Sequence, residues 1–181
     1  MKRDDRREIT VYACVKRDSL LFISFAIGKW TQETCSRMIG KARERIGDGR
    51  VEFYSDGNDD YTHVLPTYFE ELDYGQLVKK RLKGRVVDKE KRNIHGSPSM
   101  ERLETTSIEG FNSILRERLG RLVRKTKCYA KKLITLNNAM EIFQFYWNMI
   151  KTLKGSTPAM KEQIAVKPWT WNDLLTHHYT T

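Results

Sequence analysis

Cysteine is scarce in this 181-residue chain, and the three that occur, Cys14, Cys35 and Cys128, are far apart. They form no CxxC pair and no zinc-type spacing with His63, His95, His177 or His178, which argues against a disulfide framework and a zinc ribbon. Long apolar runs are also missing. The most apolar stretch, LLFISFAIG at residues 20–28, is far shorter than the roughly 20 residues a membrane helix needs. No signal peptide is legible in the opening MKRDDRRE, so reduced thiols in a cytoplasmic protein are expected. Internal repeats and low-complexity tracts are absent as well. Acidic residues are outnumbered, 23 against 33 Lys and Arg, for a formal net charge of +10. That balance points to a polyanionic partner, most often nucleic acid. At 39% hydrophobic, the chain has enough apolar residues for one core of ordinary size.

What is present reads as alternating strands and helices. Residues 8–16, EITVYACVK, are rich in β-branched and aromatic side chains and predict a strand. Arg17-Asp18-Ser19 is a short polar turn, and residues 20–28 predict a second strand, apolar enough to be central in its sheet. Thr31 starts a helix that runs to about Ile46, with Gly47 as its stop. Residues 51–55 predict a third strand. The spacing of Tyr61, Val64, Leu65, Tyr68 and Phe69 predicts a helix over about 58–71, interrupted or kinked at Pro66. One or two short strands fall in 74–88, and the polar stretch 89–103, with its Gly-Ser-Pro-Ser, reads as a loop. A helix over about 104–125 carries the stripe Ile108, Phe111, Leu115, Leu119 and Leu122. A last long helix, about 135–152, turns Leu136, Met140, Phe143, Trp147 and Ile150 inward. The tail from Lys154 is expected to wrap over the body in short helical turns. The whole predicts a mixed α/β sheet with helices packed on it.

Two carboxylates stand out. Asp56 directly follows a strand, where ligands gather in such sheets, and Gly57 permits a sharp turn after it. The ordinary alternative is an acidic turn leading into the next helix, with Asp59 and Asp60 as its first acids. Glu109 opens a helix on which Asn112 and Arg116 follow at spacings of three and four, beside the apolar stripe. From Arg116 to Lys132 there are eight Lys or Arg and one acid, Glu117. An acid heading a basic segment makes sense if it holds a divalent ion while the bases meet phosphates. The alternative is a solvated basic face, with Glu109 favoured by the helix dipole.

The run TSIEGFNSILRERLGRLVRKT resembles the third catalytic block of Asp-Asp-Glu transposases from small bacterial and archaeal insertion sequences, nearest to the insertion-sequence-one group. DSLLFISFAIGKWTQET resembles the family's central strand and following helix, YSDGNDDY its second Asp block, and GSTPAMKEQI with PWTWNDLL its C-terminal tail. The four blocks stand in the family's order and cover nearly the whole chain. The resemblance implies an RNase H-like domain over residues 1–153 with a C-terminal tail, 154–181, packed on it. It implies metal-dependent DNA strand cleavage and strand transfer with Mg²⁺ or Mn²⁺, acting on element ends and target DNA, and self-association. Asp56 would be the second catalytic acid and metal ligand and Glu109 the third, with Glu104 a less well matched alternative. Asn112 and Arg116 would support metal or DNA, and Arg121, Arg124, Lys125, Lys127, Lys131 and Lys132 would bind DNA.

One block of the pattern is not found. The family's first Asp stands on a first strand, and MKRDDRRE resembles the polar connection that follows that strand, with Asp4 and Asp5 unsuited to the role. A late start codon, a decayed element or a split reading frame would each produce this, and each implies little transposition activity from the chain alone. Two other functions use overlapping features. A non-catalytic basic DNA- or RNA-binding regulator needs the basic helix but neither Asp56 nor Glu109. An RNase H-like nuclease on RNA–DNA hybrids needs both acids but leaves the C-terminal block unexplained.

Overall fold

The computed structural model describes residues 9–122 and 132–177. The chain is mixed α/β, as expected, with a mixed sheet and packed helices. No helix among the described residues is long and apolar enough to cross a membrane. Among the described residues the fold divides into two compact units, one of residues 9–14 and 24–110 and one of 15–23, 111–122 and 132–177.

The first unit holds nearly all of the sheet structure. Strands β1 (Thr10–Val15) and β2 (Phe22–Gly28) pair as a hairpin. β2 is buried along most of its length, as its apolar sequence predicts, but it is not the central strand expected: among the described residues its sheet has two strands, and side chains rather than a further strand cover it. Helix α1 (Gln32–Arg45) begins where the sequence predicts: the Thr31 hydroxyl accepts from the Thr34 N–H at 3.4 Å. The helix ends at Ile46, and the left-handed residue of the following turn is Gly49 rather than Gly47. β3 (Val51–Asp56) then runs parallel to β4 (Leu72–Leu82), joined through α2 (Asp60–Tyr68), which retains Pro66 inside it.

β4 turns back antiparallel into β5 (Arg85–His95). Its two-residue turn, Lys83-Gly84, has positive φ at both positions, 48° and 81°, the geometry whose twist matches paired strands. The expected loop at 89–103 is therefore strand as far as His95. The short strands expected in 74–88 are parts of two eleven-residue strands.

The mixed sheet β3–β4–β5 has two distinct faces. Phe53, Leu72 and Tyr74 face one core with Tyr12 of β1, Met38 and Ile39 of α1, and Val64 and Leu65 of α2. Strand alternation places Tyr54, Asp56, Asp73, Gly75, Leu77 and Lys79 on the opposite face. The segment after β5 crosses that second face. Leu103 is fully buried against Gly75, where an added Cβ would meet its methyls at 3.4 Å. The Tyr54 hydroxyl donates to the Ser99 carbonyl at 3.0 Å, and the Ser99 N–H donates to Glu52 at 2.7 Å. Gly96 has φ 62°, and a Cβ there would strike the Asp73 carboxylate and the Leu72 carbonyl.

The second unit is an aromatic core. Phe111 and Leu115 of α3 (Thr106–Arg118) are buried, as are Phe143 of α4 (Leu133–Phe145) and Trp147 in the π-helical turn that continues it over 146–150. Phe111 packs edge-on to Phe22 and Trp147 at centroid distances of 4.8 and 5.2 Å. α3 is shorter than expected and gives way to a 3-10 turn at 120–122. Gln144 donates to the Phe22 and Ile23 carbonyls, and Asn148 both donates to and accepts from the Phe22 backbone, at 2.7–3.0 Å. Side-chain amides thus bond the backbone at the start of β2, which pairs with β1 alone among the described residues. In the tail, α5 (Pro158–Lys161) is capped by Thr157 and α6 (Trp171–Thr176) by a Thr170–Asp173 capping box. Trp171 stacks on Tyr146 at 6.1 Å.

Acid sensitivity follows from one buried carboxylate. Asp73 binds Arg50 through both carboxylate oxygens and accepts the Ser97 N–H, which lowers its pKa from 3.8 to about 2. A group with a depressed folded pKa stabilises the fold above its unfolded pKa and loses that stabilisation as pH falls through the folded value. Asp73→Asn should lower the melting temperature at pH 7 and flatten its decline between about pH 4 and pH 2, measured by calorimetry or circular dichroism.

Candidate functional site

Asp56 ends β3 with its side chain exposed. Its register partner across the parallel pair is Leu77, and Lys79 follows two positions on, on the same face. The Asp56 backbone is held from the other face by a polar network. The Ser55 hydroxyl donates to the Asp56 carbonyl at 2.7 Å and also bonds the Tyr74 hydroxyl at 2.7 Å. Gln76 donates to the Tyr74 hydroxyl at 2.7 Å, to the Asn58 carbonyl at 3.1 Å and to Thr62 at 3.2 Å. Tyr74 and Gln76 are buried, so each of these bonds contributes of order 1 kcal/mol and fixes the turn that presents Asp56. Beyond it, the Asn58 N–H approaches the Asp56 carboxylate at 3.4 Å, a weak turn contact.

Gly57 serves this turn through space rather than backbone angle. It does not adopt positive φ; a Cβ there would meet the Val78 methyl at 3.2 Å. Asp59 makes no side-chain cap, whereas Asp60 accepts from the Tyr12 hydroxyl at 2.7 Å. The expected helix-start acids therefore play different parts.

Glu109 lies in the first turn of α3 and is also exposed. Its carboxylate accepts from the buried Thr105 hydroxyl at 2.6 Å and pairs with the Lys79 ammonium. Lys79, through its hydrogen bond and charge, and Thr105 together hold the Glu109 carboxyl below its usual range, with Lys89 adding at longer reach. Lys79 stands on the same sheet face as Asp56, so the sheet and α3 direct both predicted acids to one face.

These are hard oxygen donors that fit an ion such as Mg²⁺. Glu109 already sits against one cation, the Lys79 ammonium. Among the described residues, no group of three or more His, Cys, Asp or Glu is placed to hold a metal ion.

The remaining predicted residues are spread along the chain. On α3, Asn112 is half-buried and Arg116 exposed, each at helical spacing from Glu109. Arg121 belongs to the 3-10 turn, and Lys132 is exposed just before α4. Arg124, Lys125, Lys127 and Lys131 lie outside the described residues, as does Cys128. Glu104 faces Lys91 at 3.7 Å. Cys14 and Cys35 are free thiols, both pushed up to about 12 by burial.

Lys79, Tyr74 and Gln76 are the site residues that sequence reasoning misses. The one available signal was the Lys83-Gly84 pair, which as a hairpin turn would have set the strand and its alternation.

No protein-family model, no curated protein and no solved structure matches the chain.

If Lys79 holds Glu109 ionised, removing its charge should release the shift. In Lys79→Met the Glu109 carboxyl should titrate at higher pH, toward the ordinary 4.5, as followed by carboxyl ¹³C NMR. An unchanged titration would mean the ion pair does not govern Glu109.

Proposed function

We propose that the chain is the catalytic core of an insertion-sequence transposase, with an RNase H-like fold and metal-dependent phosphoryl transfer on DNA. The observation that carries this reading is the pair of acids, Asp56 at a strand end and Glu109 on a helix, directed to one face of a mixed sheet. The four sequence blocks in family order support it, as does the net charge of +10.

In this reading Asp56 and Glu109 would hold the divalent ion, which supplies Lewis-acid stabilisation of charge on the attacking and leaving oxygens. The chain's own contribution is placement. The Tyr74–Gln76 network fixes the turn bearing Asp56, and Thr105 orients the Glu109 carboxylate. Lys79, with Thr105, lowers the Glu109 pKa, and its ammonium would be available to a phosphate oxygen if the carboxylate held a metal ion instead. Asn112 and Arg116 continue the helix stripe toward DNA, and the basic segment through Lys132 would bind its phosphates.

The RNase H-like reading calls for a further acid on a strand between β1 and β3. Support comes from their edges: each pairs on one side only among the described residues, and both strands line the same core. Two acids hold a two-metal site poorly, so this reading needs that further acid for full activity.

A second reading, a non-catalytic DNA-binding regulator, is favoured by the ion pair itself, because Lys79 gives Glu109 a structural role without metal. The two separate on substitution. On the transposase reading, Asp56→Asn and Glu109→Gln each reduce Mg²⁺- or Mn²⁺-dependent nicking of end-sequence DNA by about 100-fold or more and leave DNA binding in place. Nicking that is untouched by both substitutions, or wholly absent with any added acid-bearing strand, contradicts it.

A further inference from the structure

The β4–β5 hairpin extends well past the part of the sheet that the core needs. Between Lys79 and Arg92 the sequence carries eight Lys or Arg and only Asp88 and Glu90 as acids. Residues 82–89 are all exposed. The two faces of the ribbon differ. On one, Lys80 pairs with Asp88 and Glu90, and Glu90 with Arg92, so charge is balanced locally. On the other, register places Lys79 directly opposite Lys89, with Lys91 opposite Leu77, and the ribbon contributes no acid to that face; Lys79 and Lys91 pair instead with Glu109 and Glu104 from outside the ribbon. Like charges directly opposite each other oppose strand pairing. This basic face is the one that carries Asp56 and meets Glu109. Near the turn, Lys83 and Arg85 are exposed, and among the described residues neither they nor Lys89 make an ion pair. Leu82 and Val87 are also open there, 64% and 60% exposed.

We infer that this ribbon is a duplex-DNA interface, laid along a groove with its basic face to the phosphates and its apolar tip against sugars or base edges. The inference rests on the proposed DNA-directed function for the choice of duplex DNA as the partner. A two-stranded ribbon fits the width of a major groove, and apolar tips are used against bases in minor-groove wedges. A second copy of the chain is a poor occupant. It carries the same +10 charge, and protein interfaces are depleted in lysine. Because the basic face is continuous with Asp56 and Glu109, DNA on the ribbon would be led toward the carboxylate pair. This surface is separate in sequence from the basic segment at 116–132.

The test is fluorescence anisotropy with a 30-base-pair duplex across a salt series, on the full chain and on Lys83→Gln/Arg85→Gln/Lys89→Gln. These side chains carry no ion pairs, and Lys89→Gln also relieves the repulsion with Lys79, so the variant should melt no lower than the wild type. Affinity at about 0.1 M salt should fall roughly tenfold or more, and the slope of log K against log salt should drop by about 2 to 3. If the wild type binds DNA and the variant binds it with equal affinity and slope, the ribbon is not the interface, while the DNA-directed function stands. If the wild type binds no duplex DNA, both fall. Tighter ribbon-dependent binding to double-stranded RNA, or loss of a dimer in sedimentation in place of lost DNA binding, also overturns the inference. Should the variant fail to fold, amide shift changes at residues 83–89 of the wild type on adding the duplex decide the matter: present, they support the ribbon; absent while binding occurs, they refute it.

Discussion

The parallel register of β3 against β4 is the constraint on which the candidate site depends. With Asp56 opposite Leu77, the acid falls on the face that α3 reaches, and Lys79, two residues along, meets Glu109. A slip of one residue would turn Asp56 toward the core of Tyr12, Met38 and Leu65 and expose Ser55 in its place. The register is secured from both sides. Phe53 and Tyr74 are committed to the core on one face, and Leu103 packed on Gly75 is committed on the other. Tyr54, through Ser99, fastens the crossing segment that delivers Glu109.

The β4–β5 ribbon places lysines but no acid on that face, and the acids that meet them come from elsewhere in the chain. Lys79 and Lys89 face each other across the strands, a pairing that costs up to about 1 kcal/mol. Glu109 relieves part of this by pairing with Lys79, and Lys79 and the Thr105 hydroxyl together lower its pKa. The opposite face of the same ribbon, with Lys80, Asp88, Glu90 and Arg92, shows the arrangement that satisfies charge internally. On the basic face Lys79 and Lys91 meet acids from outside the ribbon, Glu109 and Glu104, while among the described residues Lys89 makes no ion pair.

Much of this was legible in the sequence, and the limits have physical causes. α1 was readable because its cap is local: Thr31 and the apolar positions Cys35, Met38, Ile39 and Ala42 fall within one helix. The positions of Asp56 at a strand end and of Glu109 in a first helical turn were readable because each is set by local sequence. β5 was missed because its side chains are nearly all polar and exposed. A ribbon projecting from the sheet has no buried face to impose alternation. Lys79 was missed for a related reason, since its partner lies 30 residues away and is set by strand register, which single-sequence periodicity does not carry. The role of Gly57 was anticipated as a backbone freedom and proved to be a close approach to Val78.

The central claim is that Asp56 and Glu109 act together on one divalent ion. It is tested most directly by titrating Mn²⁺ into the isotopically labelled chain and following paramagnetic broadening by NMR. Broadening should spread from residues around both Asp56 and Glu109 over the same range of added metal, and either Asp56→Asn or Glu109→Gln should abolish it at both places. Broadening confined to one of the two, or centred elsewhere on the chain and unaffected by these substitutions, would contradict the account.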